Sequence, residues 1–168
     1  MLTQIINGKI LTANGWLEGG SIILCDSKIL EIANSDLPRV GATIVDVKGD
    51  YILPGFVAMN IHGGGGHAFK EGTRTAFDIA TDVHLKHGAT TIFPTIYTAK
   101  TEKIHNSVKV CEEVMGEGKT VVKGIHIAGP YFNPQMVKSF PGAKNPDKEE
   151  YLQILASTNC IKRWDISP

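Results

Sequence analysis

From Tyr51 onward, short apolar runs alternate with amphipathic stretches, and this alternation restricts the fold more than any other feature. Tyr51 to Ile61 has the composition of a strand entered through Pro54-Gly55. Thr73 to His87 places Ala76, Ile79, Ala80 and Val83 at i, i+3, i+4 and i+7, which predicts a helix with one apolar face, and Gly88 follows as its stop. Ala89 to Pro94 is a second strand whose apolar and threonine content suits a parallel sheet covered on both sides. The next helix runs from Thr101 to Met115, burying Ile104, Val108, Cys111 and Met115, and Gly116-Glu117-Gly118 ends it. Val121 to Ala128 is a third strand, Gly129 to Pro146 an irregular stretch, Lys148 to Ser157 a short helix and Cys160 to Ile166 a fourth strand.

Successive βα units imply parallel strands joined by right-handed crossovers. They can close as a doubly wound sheet or as a (β/α)8 barrel. A whole barrel takes about 250 residues, and the stretch after residue 50 holds fewer than half that number. The expected class is therefore α/β: the first half of a (β/α)8 TIM-type barrel, about three and a half βα units over 51–168, truncated after its fourth strand. The first fifty residues lack a helical period. Gln4 to Leu11, Ser21 to Leu24, Lys28 to Ile32 and Thr43 to Val47 are strand candidates, with turn signals at Asn14-Gly15 and Asp26-Ser27, so residues 1–50 form a small β-unit.

Composition narrows the partners. Apolar residues make up 42% of the 168, enough for a core, and 17 basic residues balance 17 acidic ones. A net charge of zero offers no long-range attraction to nucleic acid or to an anionic membrane. No apolar run approaches the roughly 20 residues that span a bilayer, and the N-terminus carries no secretory signal. Cys25, Cys111 and Cys160 are widely spaced and odd in number, which suits reduced thiols in a cytoplasmic protein.

Catalytic side chains of βα proteins sit at the C-terminal ends of strands. At the first such end, Asn60-Ile61-His62-Gly63-Gly64-Gly65-Gly66-His67, alternation points Asn60 and His62 to one face, where both could reach a metal ion, and the glycines let backbone pass close to a ligand. The set lacks the Lys-Ser/Thr closure of a phosphate loop. At the third strand end, His126 and Ala128 share the face opposite Ile125 and Ile127; His126 reads as a hydrogen-bonded core histidine. Thr95 reads as structural. His84 and His87 occupy the last turn of a helix, where the dipole favours a partly charged imidazole over a shared metal.

The motifs taken together resemble the amidohydrolase superfamily. Tyr51-Ile52-Leu53-Pro54-Gly55-Phe56-Val57 followed by Asn60-Ile61-His62 looks like its opening barrel strand. Ile61 to His67, His84 to Thr90, Phe93-Pro94-Thr95, Gly129-Pro130-Tyr131-Phe132-Asn133-Pro134 and Lys162-Arg163-Trp164 narrow the resemblance to the N-acetylglucosamine-6-phosphate deacetylases, in collinear order. Dihydroorotases share the Pro-Gly-Phe strand but fit the Gly-Pro-Tyr-Phe-Asn-Pro segment poorly. The resemblance implies a metal-dependent amide hydrolase acting on an amino-sugar phosphate, with a divalent ion of zinc or iron type and an aspartate as general base and acid. It also implies a barrel with a small β-domain and, usually, a dimer.

Carried over by residue, Asn60 and His62 hold the metal positions of the first strand, and Ala58 stands where an aspartate often precedes them. Gly64, Gly65, Asn133 and Lys144 are the substrate-side candidates, Lys144 replacing a His or Gln. Ala128 stands where the family has a metal-binding glutamate. The family's remaining ligands and its aspartate would lie past Pro168, so no catalytic residue is assigned. The expectation is a truncated, inactive member. The alternatives are a half-barrel completed by another chain, through its exposed edges, and a non-enzymatic sugar-phosphate-binding dimer.

Overall fold

The computed structural model describes residues 1–97, 100–133, 135 and 142–167. Most of the middle of the expected irregular stretch, with Pro134 of its motif, lies outside the described residues. The chain divides into two compact units, Met1–Pro54 and Gly55–Pro168.

The first unit is made of short strands: β1 (Leu2–Ile6), β2 (Lys9–Thr12), β3 (Gly15–Leu17), β4 (Ser21–Cys25), β5 (Lys28–Ala33), β6 (Thr43–Asp46) and β7 (Tyr51–Ile52). One sheet has the order β5-β4-β1-β6 and the other β3-β2-β7. The expected single run from Gln4 to Leu11 is two strands in different sheets, because Asn7 turns the chain at φ 57. Gly8 then passes so close to Ile52 that a Cβ would lie 2.5 Å from its Cδ1. Gln4 is buried with its amide fully used: it donates to Ser21 Oγ and Leu37 O at 2.9 and 3.0 Å and accepts from the Arg39 amide at 2.7 Å. That pins the loop between β5 and β6 at little desolvation cost.

The expected strand from Tyr51 to Ile61 is also two strands. Tyr51–Ile52 pairs in parallel with β2, and pairing lapses over 53–55, where Pro54 has no amide hydrogen to donate. The second unit begins at Gly55.

That unit holds β8 (Phe56–Ile61), the small pair β9 (Gly63–Gly64) and β10 (His67–Ala68), a 3-10 turn Phe69–Glu71, α1 (Arg74–Lys86), β11 (Ala89–Tyr97), α2 (Thr101–Gly116), β12 (Ile125–Ala128), α3 (Lys148–Ala156) and β13 (Ile161–Asp165). The main sheet runs β8-β11-β12-β13, every pair parallel, so spatial order follows chain order. One core cluster collects Phe77 and Ala80 of α1, Ile104, Val108 and Cys111 of α2, Ile154 of α3, and Ile96, Ile125 and Ile127 of the sheet. The protein is thus mixed α/β, with small sheets and one parallel sheet. No helix among the described residues is long and apolar enough to cross a membrane.

Local chemistry sets the element ends. Thr73 accepts from the Ala76 amide and Asp147 from the Glu150 amide, capping α1 and α3. Gly88 follows α1 at φ 89, a conformation a β-carbon disfavours. β11 runs three residues beyond the expected end at Pro94, because the register shifts between Ile92 and Pro94 and the proline sits at that irregularity. The third strand is shorter than expected. Gly124 has φ 152 and abuts Lys162 and the Cys160 carbonyl, leaving Val122 as an isolated bridge to Ile92.

The buried stripe of α1 is rotated from the expected one: Ala76, Phe77 and Ala80 are buried, while Ile79 remains 37% exposed. Phe77 explains the rotation, since its ring meets Phe69 edge-on at 5.0 Å. Phe77→Ala should lower unfolding free energy by about 3–5 kcal/mol, and Ile79→Ala by less than half as much, both read from urea denaturation followed by fluorescence. Equal losses would refute this assignment of the core face.

Candidate functional site

The side chains on the sheet face opposite Ile125 and Ile127 are set by register. Thr95, His126 and Arg163 lie side by side across β11, β12 and β13, and Tyr97, Ala128 and Asp165 form the next row toward the strand ends. Period-2 alternation puts both rows on the same face.

His126 is the centre of this arrangement and is only 1% exposed. Its Nδ1 lies 3.1 Å from Thr95 Oγ1. Thr95 Oγ1 in turn accepts from the Ile61 amide at 3.0 Å and lies 3.5 Å from Asn60 Oδ1. Thr95, fully buried, therefore couples the end of β8 to β12. The other imidazole nitrogen, Nε2, is 3.1 Å from Asp165 Oδ2, yet its direction makes no hydrogen bond, so a buried polar atom is left unsatisfied. The proximity is electrostatic.

Asp165 is taken up by Arg163, whose Nε and Nη2 donate to its two oxygens at 2.8 and 2.9 Å. Those bonds, with His126 behind them, hold the carboxyl below its ordinary value. For His126, burial pushes the pKa below the ordinary 6.5, and the Asp165 charge only partly opposes this. The imidazole is accordingly neutral in the folded protein near pH 7.

His62, just past β8, packs edge-on against Tyr97 at 5.8 Å, and Tyr97 lies 6.4 Å from the Phe132 ring. The structure thus gathers Asn60, Thr95 and His126 into one hydrogen-bonded group. Ala128 stands beside Asp165, one strand away from a carboxylate it does not itself carry.

The substrate-side candidates have neighbours of their own. Gly64 and Gly65 lean on α1: a Cβ on Gly65, at φ 60, would lie 2.7 Å from Ile79 Cγ2, and one on Gly64 would lie 3.3 Å from the Ala80 carbonyl. Asn133 Oδ1 accepts from the Gln135 amide, a local turn bond. Lys144 forms an ion pair with Glu150 of α3, its ammonium 6.0 Å from the Tyr131 ring centre. His84 Nε2 bonds the Gly63 carbonyl at 3.0 Å, and His87 Nδ1 bonds the Val83 carbonyl at 2.8 Å. His67 pairs with Glu71 at 3.2 Å. Among the described residues, no three His, Cys, Asp or Glu side chains converge as a metal cluster. Thr95 is a hub where the sequence suggests only a structural hydroxyl, and the Arg163–Asp165 pair is not among the expected site residues; alternation along β13 puts the two on one face, but local sequence does not encode their alignment with His126.

No family model matches the chain. Individual relatives do. An N-acetylglucosamine-6-phosphate deacetylase of Haemophilus influenzae is 31% identical over 136 residues, spanning 79% of this chain and 35% of that protein. The chain is a homologue of the N-acetylglucosamine-6-phosphate deacetylases. It spans about a third of the length of the curated deacetylases it matches. The crystal structure of the Pasteurella multocida deacetylase superposes on 99% of the chain with a TM-score of 0.91 at 23% identity, the match covering 45% of that structure. A Mycobacterium smegmatis deacetylase, solved in complex with N-acetyl-D-glucosamine-6-phosphate, superposes on 99% of the chain, covering 43% of its own, with a TM-score of 0.80 at 23% identity. At that identity the structures show a shared fold. Within that fold, Asn60, His126 and Ala128 are this chain's residues at or next to the strand ends, where βα proteins carry their chemistry.

The His126 shift sets a pH dependence. A folded-state pKa below the unfolded value means that the unfolded chain binds more protons between the two, so stability falls as pH drops through about 6.5. Urea midpoints should fall from pH 7.5 to pH 5.5, and His126→Gln, which keeps polarity without a titrating ring, should flatten that slope. An unchanged slope would contradict the burial of a neutral imidazole.

Proposed function

We propose that this chain forms the opening part of a (β/α) barrel of N-acetylglucosamine-6-phosphate deacetylase type and that, alone, it does not hydrolyse the amide. Among the described residues, three helices and four parallel strands in chain order support the half-barrel reading, since a doubly wound sheet would reverse its order at a switch point. The substrate class carried over is an amino-sugar phosphate, with Gly64, Gly65, Asn133 and Lys144 as its proposed contacts. Three free thiols accord with a reducing, cytoplasmic setting.

Inactivity rests above all on Ala128. A divalent ion needs three or four donors, commonly imidazole and carboxylate. Asn60 and His62 offer an amide and an imidazole; Ala128 offers a methyl group. The neighbouring carboxylate, Asp165, is held through both oxygens by Arg163, whose own charge disfavours a cation. These residues do not fit the divalent ion of the family, and no hydrolytic step is assigned to them.

One observation favours a second reading, in which another chain completes the barrel. β8 is an edge strand, and its Phe56, Val57 and Met59 are 58%, 61% and 47% exposed. Exposed apolar residues on an unpaired edge invite association.

The purified chain should release no acetate from N-acetylglucosamine 6-phosphate above the buffer blank when zinc or ferrous iron is supplied. Light scattering at several concentrations separates the two readings: a silent monomer supports the inactive chain, whereas a dimer that releases acetate supports completion. Turnover by a monomer would refute both.

A further inference from the structure

We propose that Cys111, Met115 and Cys160 form a binding site for a soft monovalent cation of the copper(I) or silver(I) class, remote from the strand-end site. Cys111 and Met115 lie at i and i+4 on α2 and so share one helix face. Their sulfur atoms are 3.8 Å apart. Cys160, just ahead of β13, belongs to the same core cluster as Cys111, its Sγ 4.0 Å from the carbonyl of Val108 on α2, and it lines one cleft with Met115. The two thiols influence each other's proton affinity, that of Cys111 raised and that of Cys160 lowered.

The distances suit an ion. Metal–sulfur bonds of about 2.3 Å put ligand sulfurs about 3.8–4.0 Å apart in tetrahedral or trigonal sites, so the Cys111–Met115 spacing already matches one edge. Ligand chemistry selects the metal: two thiolates and a thioether are soft donors, and a neutral thioether discriminates against hard oxygen-seeking cations.

Access and charge also fit. Buried structural thiols are ordinarily sealed in apolar surroundings. Here Met115 and Cys160 line a cleft of about 390 Å³ with Glu112, Asn159 and Lys162. Binding one monovalent ion releases two thiol protons, changes no oxidation state and leaves one net negative charge, which the Lys162 ammonium in the same cleft offsets. Cys25, a free thiol in the first unit, serves as an internal control.

The test is anaerobic titration of the full chain with copper(I) held by a coloured competing chelator. One equivalent should transfer to the protein. Cys111→Ser or Cys160→Ser should lower affinity at least a hundredfold, Met115→Leu about tenfold, and Cys25→Ser not at all. If a serine variant fails to fold, Met115→Leu, which conserves volume, and differential alkylation decide: copper(I) should protect Cys111 and Cys160 from iodoacetamide while Cys25 reacts. Copper(I) that stays with the chelator, or equal protection of all three thiols, would overturn the proposal.

Discussion

The lateral register of β11, β12 and β13 is the constraint on which the strand-end site depends. A one-residue slip of β12 would send His126 into the apolar core and Ile125 or Ile127 outward, exchanging a satisfied core for a buried imidazole among isoleucines. The core fixes the register, and the register aligns Thr95, His126 and Arg163. Polar organisation at this face is thus a by-product of hydrophobic packing on the other. Thr95 adds a second tie, linking the β8 backbone to the imidazole through one hydroxyl.

That register also makes the departures from the deacetylase pattern interpretable. On the proposed reading Ala128 stands at the deacetylase glutamate position, and the neighbouring carboxylate enters from β13 paired with Arg163. A desolvated histidine with one unsatisfied nitrogen remains between them. Such a group costs about 1–3 kcal/mol, so its persistence marks the place where this face is least optimised for stability. The scaffold superposes closely on deacetylases, and the proposed inactivity would then mean that fold and local chemistry have separated here.

Much of the architecture was legible because it is local. The period of α1, the stop at Gly88 and the parallel βα alternation all follow from spacing and backbone preference. The failures came from pairing between distant residues. Tyr51–Ile52 looks continuous with Phe56–Ile61, yet its partner is β2, a relation that no local period encodes. The helix stripe was misjudged at Ile79 because Phe77 is claimed by Phe69, a contact set by the 3-10 turn. At the site, motif position singled out Asn60, His62 and Ala128, whose metal role stands as a proposal. Gly64 and Gly65 could not be distinguished, from sequence, between approach to a ligand and approach to α1; the structure puts them against α1. Lys144 is a partner of Glu150, because the helix that starts four residues later turns that carboxylate toward it.

Whether this face can hold a divalent ion decides between a depleted site and a working one. Zinc titration by calorimetry at pH 7.5, with the cysteines at 111 and 160 replaced by serine to silence the sulfur cluster, measures that directly. We expect no saturable one-to-one binding by this chain, and measurable binding once Ala128→Glu returns a carboxylate to the end of β12. Submicromolar binding of one zinc ion with Ala128 in place, abolished by His62→Ala, would contradict a depleted site.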